Sequence, residues 1–165
     1  MAYRVLNDDL TYANMNTDLP KVCFLHGWGG SGKDFSKIDS NFEYITFDLP
    51  GFGKSVPFQI SFSPKQYAEY LNKLIPDSVE IIVGHSFGGR VAVHLSQLKE
   101  YKKLVIIAAP LIRSKKTNNS FSIYKVFKFL NRINLISDVF LDGIKNKYGS
   151  EDYKKANKVL KDTLV

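Results

Sequence analysis

Strand-like and helix-like patterns alternate through the first two-thirds of the chain, and this alternation restricts the fold more than any other feature. Short apolar runs rich in β-branched and aromatic residues are separated by turn residues and by segments of helical periodicity. Repeated strand–helix units build a mostly parallel sheet with helices on its faces. Six strands are predicted, over residues 3–7, 10–14, 22–25, 44–47, 80–83 and 103–108. The sequence therefore predicts an α/β fold for residues 1–110.

One helix of this fold has a clear start signal. Ser63 and Pro64 open it, because serine caps helix N-termini and proline suits the first helical position. Tyr67, Leu71 and Ile75 then recur at helical spacing. We expect this apolar stripe to pack on the sheet.

The last third of the chain has a different pattern. Residues 111–165 carry 12 Lys and Arg against 5 Asp and Glu, whereas residues 1–110 carry 11 of each, so the whole net charge of +7 falls here. Apolar residues recur at helical spacing in three successive stretches, which predicts three amphipathic helices after the core.

The charge of this segment has a second interpretation, in which the segment lies on an anionic membrane surface. Solvated lysines on the outer faces of these amphipathic helices explain it better, and charge confined to one segment gives no support to nucleic-acid binding. We therefore expect neither a membrane nor a nucleic-acid partner. The sequence has no apolar run near the roughly 20 residues of a membrane helix and no signal-peptide pattern. With Cys23 as the single cysteine, a cytoplasmic location and no metal site are predicted.

A serine stands at a predicted junction of strand and helix. The run GHSFG at positions 84–88 fits the pattern Gly-X-Ser-X-Gly, follows the fifth predicted strand and precedes a second predicted helix. Small residues at Gly84 and Gly88 let neighbouring backbone pass close to so sharp a turn, which pushes the Ser86 hydroxyl outward. The backbone N–H of Phe87, at the helix start, is the first candidate to stabilise an oxyanion. Ser86 is therefore the candidate nucleophile.

A glycine-rich run, HGWGG at positions 26–30, follows the third predicted strand. Its glycines permit a tight turn whose backbone can fold toward Ser86, with the Trp28 N–H as a second oxyanion donor. His26 and Gly27 belong to the loop that would support this arrangement. Another glycine-rich stretch, DLPGFGKS at positions 48–55, follows the fourth strand and is interpreted as structural.

The segments HGWGG, FDLPGFGKS and VGHSFGGRVA, in this order and at these separations, resemble the α/β-hydrolase superfamily over about residues 1–110. Residues 111–165 are similar to the helical cap that many members insert after the sixth core strand, and the resemblance implies that Phe121, Phe127 and Phe140 line this lid over the active-site mouth. An apolar lid implies a small-molecule substrate with an apolar group. The resemblance implies a core without the family's last strands, Ser86 as nucleophile, an oxyanion hole from the Phe87 and Trp28 backbone N–H groups, and no cofactor. The implied chemistry is acyl transfer to water from a carboxylic ester or a related small acyl substrate.

The base that this chemistry needs is missing from its expected place. In the family an acid and then a histidine follow the cap, but the histidines here are His26, His85 and His94. His94 lies about 12 Å along the helix from Ser86 at about 1.5 Å per residue, too far for proton transfer. His85 adjoins Ser86 with a diverging side chain and packs beside the turn, and for His26 a hydrogen-bonded brace is favoured over a substitute base. The acid and base are therefore predicted to lie outside this chain, which alone would be nearly inactive.

Three alternatives stay open. The first is a catalytically inactive truncated fragment, and the second is one piece of a two-chain enzyme. In either case the apolar strand 103–108 would be an uncovered sheet edge that invites self-association or a second chain. The third, a P-loop nucleotide-binding protein, rests on GWGGSGK at positions 27–33, but Asp34 stands where that motif has a Ser or Thr for Mg²⁺.

Overall fold

A computed structural model of the chain describes residues 2–6, 10–37, 41–111 and 158–163. The chain divides into two compact units, residues 1–111 with 157–165 and residues 112–156. All of the described residues belong to the first unit. The lid residues Phe121, Phe127 and Phe140 lie outside the described residues, so their role and the division into core and cap stay predictions.

Six strands form one mixed sheet in the order β1-β2-β4-β3-β5-β6. Strands β3 to β6 pair in parallel, whereas β1 with β2 and β2 with β4 pair antiparallel. The predicted six-stranded, mostly parallel sheet is confirmed. The strands are β1 (Ala2–Val5), β2 (Tyr12–Met15), β3 (Val22–Leu25), β4 (Tyr44–Phe47), β5 (Ile81–His85) and β6 (Lys103–Ile107).

The centre of the sheet is buried on both faces, which explains why its strands are continuous apolar runs. Successive strand residues point to opposite faces. One face carries a cluster of Val22, Phe24, Tyr44 and Val83, against which Phe35 packs. The alternate residues are fully buried on the other face, namely Cys23, Leu25, Ile45, Phe47 and Ile82. Strand β6 differs, because Leu104, Val105 and Ile107 are all exposed.

Four helices are described: a short 3-10 helix (Gly32–Phe35), α1 (Pro64–Leu71), α2 (Phe87–Leu98) and α3 (Lys158–Asp162). The predicted start of α1 is confirmed, since the Ser63 hydroxyl accepts the Gln66 N–H at 3.3 Å and the Gln66 side chain accepts the Ser63 N–H at 2.9 Å. Helices α1 and α2 pack on each other, and α2 also lies on β5 and β6. No described helix is long and apolar enough to cross a membrane.

The parallel register brings three loops to one edge of the sheet. Leu25 at the end of β3 pairs with Phe47 at the end of β4 and with Gly84 near the end of β5. The loops that follow these strands contain HGWGG, DLPGFGKS and Ser86. The carboxyl edge of such a sheet is where α/β proteins bind ligands, so the fold brings the predicted site residues together.

Candidate active site

Ser86 lies on a sharp turn between β5 and α2, as the sequence predicted. Its backbone has φ 50° and ψ −111°, a conformation that L-residues other than glycine rarely adopt. The turn is fixed at both ends, because the Ser86 N–H donates to the Ile107 carbonyl at 2.9 Å and the Ser86 carbonyl accepts the Gly89 N–H at 3.1 Å. The serine is half-buried. A strained residue held this firmly is typical of a functional position.

Two glycines make this turn sterically feasible. A Cβ atom at Gly84 would lie 2.5 Å from the Gly88 carbonyl oxygen. A Cβ atom at Gly88 would lie 2.5 Å from the His26 carbonyl oxygen and would overlap that of Leu25. The Gly88 N–H also donates to the His26 carbonyl at 3.0 Å. The start of α2 therefore packs directly against the end of β3, with no room for a side chain.

The HGWGG loop folds next to Ser86. The Gly30 N–H donates to the Gly27 carbonyl at 3.0 Å, and Gly29 has φ 80°, which the third position of a type II turn requires. An ideal Cβ atom at Gly27 would lie 3.4 Å from Ser86 Cβ and 2.9 Å from His85 Nδ1. Gly27 is thus the point of contact between this turn and the serine.

The two predicted oxyanion donors belong to the segments that flank Ser86. Trp28 occupies the second position of the turn that starts at Gly27, and that turn's hydrogen bond uses the Gly30 N–H. Phe87 is the first residue of α2, so its N–H has no acceptor four residues earlier in the helix. Their role in binding an oxyanion stays a prediction.

His26 braces this region and is not poised to act as a base. It is fully buried, its Nε2 accepts the Leu49 N–H at 2.9 Å, and its Nδ1 lies 2.6 Å from the Gly27 carbonyl oxygen. Because Nε2 is an acceptor, the proton must be on Nδ1, which donates to Gly27. Burial lowers the pKa of His26, with smaller opposing effects from the Gly27 hydrogen bond and from Asp34 and Asp48. With both nitrogens bonded within the protein, the ring cannot take the Ser86 proton.

The other two histidines differ in position. His85 is exposed at the end of β5, with its ring against Gly27. His94 lies on α2, with Nδ1 3.3 Å from the Gln97 side-chain oxygen one turn further along the helix. Neither contact is with the Ser86 hydroxyl.

Asp48 is a buried brace that the sequence reasoning did not single out. Its two carboxylate oxygens accept the Gly32 N–H and the Lys54 N–H, each at 2.8 Å, and its carbonyl accepts the Ser55 hydroxyl at 2.5 Å. It therefore ties the loop after β3 to the loop after β4. The sequence signal that could have indicated this role is a carboxylate placed directly after a buried strand and before a glycine-rich stretch.

The same hydrogen bonds contradict the P-loop alternative. A phosphate-binding loop needs free backbone N–H groups to surround the anion. Here the Gly32 N–H is bonded to Asp48 and the Ser31 N–H to the Asp34 carboxylate at 3.3 Å. These two N–H groups are therefore already bonded to carboxylates, whose negative charge would repel a phosphate.

An aromatic contact behind Ser86 joins the turn to α1. The buried ring of Phe87 meets the Tyr67 ring edge to face at 5.2 Å, and the Tyr67 hydroxyl donates to the Pro50 carbonyl at 2.8 Å. Burial raises the pKa of Tyr67, which keeps its hydroxyl a neutral donor. No group of three or more His, Cys, Asp or Glu within the described part of the chain is arranged to hold a metal ion.

Comparison with known proteins assigns the chain to a family. A model of the alpha/beta hydrolase family matches residues 24–151. The chain is 35% identical over 98 residues to the pimeloyl-[acyl-carrier protein] methyl ester esterase of Pseudoalteromonas atlantica, covering 54% of this chain and 37% of that protein. It is 34% identical over 102 residues to the magnesium-chelatase 30 kDa subunit of Rhodobacter capsulatus, covering 57% of this chain and 36% of that protein. The chain thus spans well under half the length of these relatives.

Solved structures give the same fold. An esterase of Mycobacterium tuberculosis superposes with a TM-score of 0.56 at 26% identity, covering 64% of this chain and 39% of that one. Est816, described as an N-acyl homoserine lactone degrading enzyme, superposes with a TM-score of 0.59 at 18% identity, covering 98% of this chain and 70% of that one. At that identity the second likeness shows the fold alone.

Proposed function

The chain belongs to the alpha/beta hydrolase family, and on that premise we propose that it carries the nucleophile and oxyanion hole of an esterase-type hydrolase acting on small acyl substrates. The observation that carries the proposal is the strained turn at Ser86, held between β5 and α2 with the HGWGG loop against it. Two of the similar proteins are named as esterases, one of them a methyl ester esterase, which supports a carboxylic ester as substrate.

The proposed reaction is acyl transfer to water through Ser86. The Ser86 hydroxyl oxygen forms a bond to the carbonyl carbon while its proton passes to a base, and the carbonyl π electrons move onto oxygen. The Phe87 and Trp28 backbone N–H groups would donate to this oxyanion. The tetrahedral intermediate collapses to an acyl-serine and expels the alcohol, which takes the proton from the base. Water then adds to the acyl carbonyl and gives a proton to the base, and the second tetrahedral intermediate releases the acid while Ser86 recovers its proton.

The acid and base of this reaction are assigned to residues outside this chain. The chain has three histidines. Both ring nitrogens of His26 are hydrogen-bonded within the protein. His85 contacts Gly27, and His94 contacts Gln97. A serine hydroxyl without a base is a poor nucleophile. The oxyanion hole and binding alone provide about 10³–10⁴-fold over water, so the isolated chain is expected to be a very slow catalyst.

The substrate is proposed to carry an apolar group. The rings of Trp28 and Phe52, from the loops that follow β3 and β4, meet edge to face at 5.7 Å, which supports an apolar surface at the carboxyl edge of the sheet. The proposal also places the protein in the cytoplasm, in keeping with its free and buried Cys23, whose pKa burial raises. No cofactor is required by this chemistry.

A fluorophosphonate probe tests the proposal, because it reacts with a serine at a rate that rises with the nucleophilicity of its hydroxyl. Wild-type protein, Ser86→Ala and Ser96→Ala, a matched change at an exposed serine of α2, are incubated with the probe and analysed by intact mass. We expect slow labelling of the wild type and of Ser96→Ala, and none of Ser86→Ala. Added imidazole should accelerate labelling, since it supplies the missing proton acceptor.

Two results would count against the proposal. Labelling that survives in Ser86→Ala would place the reactive group elsewhere. A wild-type protein that stays unlabelled even with imidazole would show that this turn does not activate its serine, which is the outcome expected of a catalytically inactive fragment.

A further inference from the structure

The side chain of Trp28 holds the segment that contains α3. Its indole Nε1–H donates to the Thr163 hydroxyl oxygen at 3.1 Å and to the Leu160 carbonyl at 3.3 Å. The Thr163 hydroxyl in turn donates to the Leu160 carbonyl at 2.6 Å. Thr163 is 3% exposed, so these bonds are shielded from water and expensive to lose.

Two further contacts fix the same segment to the loops of the carboxyl edge. The Leu160 side chain packs on Gly51, where a Cβ atom would overlap it. The Ser61 hydroxyl donates to the Val159 carbonyl at 3.0 Å. Residues 159–163 are therefore attached to the loop after β3, to the loop after β4 and to the approach to α1.

The turn that contains Trp28 has only one side chain of its own. Its other three members are Gly27, Gly29 and Gly30, which make no side-chain contacts that could fix the turn. Gly27, at the start of the turn, is held by the His26 ring and packs against His85. Trp28, the next residue, has a separate side-chain anchor, because its indole is held by Phe52, Leu160 and Thr163.

We infer that Thr163 is a positioning residue, whose hydrogen bond to the Trp28 indole sets the position of the Trp28 backbone N–H beside Ser86. This inference rests on the proposed function, in which that N–H donates to the oxyanion. Thr163 itself touches neither the substrate nor Ser86 in this assignment; it acts through Trp28. The segment that carries it thereby becomes part of the machinery that orders the oxyanion hole.

The chain offers a direct probe, because Trp28 is its only tryptophan. Labelling with 15N-tryptophan gives one backbone amide signal and one indole signal in the NMR spectrum of the whole chain. In Thr163→Val we expect both signals to shift and indole hydrogen exchange to become about fivefold to tenfold faster, as the loss of one hydrogen bond implies. Thr163→Ser, which keeps the hydroxyl, should restore both signals and the exchange rate.

Other outcomes separate the inference from its premise. If Thr163→Val shifts the indole signal alone and leaves the backbone amide signal unchanged, the indole bond does not position the turn and the inference is wrong. Ser61→Ala removes the hydrogen bond to the Val159 carbonyl in the same segment and leaves the contacts of Trp28 in place. It should shift both signals in the same direction as Thr163→Val does, but by a smaller amount. An unchanged spectrum would also contradict the inference. Failure of the wild type to react with the fluorophosphonate would overturn the proposed function while these NMR results still stand.

Discussion

The turn at Ser86 and strand β6 are neighbours in one sheet, joined by the hydrogen bond from the Ser86 N–H to Ile107, yet their surroundings differ sharply. Around the turn the backbone of α2 meets the end of β3 with no space for a methyl group at Gly88. Along β6 the side chains of Leu104, Val105 and Ile107 are 39%, 41% and 46% exposed. The geometry of the turn at Ser86 is thus set by close contacts, whereas the side chains along β6 are left exposed, in the part of the chain that the structure describes.

The proposed chemistry has two requirements, a serine held in the right geometry and a base that accepts its proton. The strained backbone of Ser86 and the adjacent HGWGG loop are set by contacts among β3, β5, α2 and the loop after β4. The proton acceptor is not among these contacts, because the buried ring of His26 is used as a brace. A serine can therefore be presented correctly without being activated.

The largest effect should come from adding one methyl group at the turn. Gly88→Ala places a Cβ atom against the carbonyl oxygens of Leu25 and His26, backbone atoms that cannot move aside. We expect the free energy of unfolding to fall by about 3 kcal/mol or more. Val105→Ala, on exposed β6, should cost about 1 kcal/mol or less. Urea unfolding of the two variants checks the contrast, and equal losses would contradict it.

Lowering the pH should weaken the region around the turn through His26. Burial holds the pKa of His26 below its usual 6.5 in the folded chain, so below about pH 6.5 the unfolded chain binds a proton that the folded chain does not. Stability should therefore be lost as the pH falls through this range, by at most about 1.4 kcal/mol per pH unit from this group.

Urea midpoints measured between pH 7.5 and 5 test this, with His26→Gln as the comparison. Glutamine can still accept the Leu49 N–H through its side-chain oxygen but does not titrate. We expect the variant to be less stable at pH 7.5 and to have a shallower pH dependence. Parallel curves for the two proteins would show that His26 does not cause the loss.

A smaller effect, of opposite sign, should follow from relieving the strain at Ser86. Its φ of 50° and ψ of −111° cost about 1–3 kcal/mol for a non-glycine residue, whereas glycine adds about 0.5–1 kcal/mol of unfolded-chain entropy. Ser86→Gly should therefore raise the free energy of unfolding by about 1 kcal/mol. Ser96→Gly, the same change inside α2, should lower it by about 0.5 kcal/mol. Thermal unfolding compares the two, and a loss in both variants would mean that Ser86 is not strained.

The local patterns predicted the buried elements well and their ends less well. Strands β3 and β4 match their predicted bounds because an apolar run buried on both faces is bounded by polar or glycine residues. Leu10 was predicted to begin β2, but its φ of 53° places it before the strand, with its side chain exposed. Helix α1 ends at Leu71, because the Lys73 and Leu74 N–H groups donate three residues back, to the Tyr70 and Leu71 carbonyls, and proline follows at position 76.

In the candidate site, too, features that depend on neighbouring residues in the sequence could be predicted, whereas contacts between distant residues could not. The turn at Ser86 could be predicted because its strand, turn and helix are consecutive in sequence, with Gly84 packed against Gly88 four residues later. The bond between Trp28 and Thr163 joins residues 135 positions apart, and no spacing rule indicates such a pair. The full burial of His26 was likewise beyond local pattern, since it depends on the loop that follows β4.

The smallest change in stability, and the sharpest test of the open edge, is expected from a charge on β6. Among the described strands β6 is the outermost on its side of the sheet and carries exposed apolar side chains, and an edge strand of this kind can pair with the same strand of a second copy. Val105→Lys should oppose this pairing while changing the free energy of unfolding by no more than about 0.5 kcal/mol, because the side chain is exposed.

Sedimentation equilibrium over a range of protein concentrations measures the association. We expect the wild type to associate and Val105→Lys to shift toward monomer at equal concentration. Gln59→Lys, which adds the same charge at an exposed residue away from β6, should associate like the wild type. If both lysine variants become monomeric, net charge controls association and the strand edge does not. If the wild type is a stable monomer, the exposed strand β6 does not cause self-association, and the prediction is wrong.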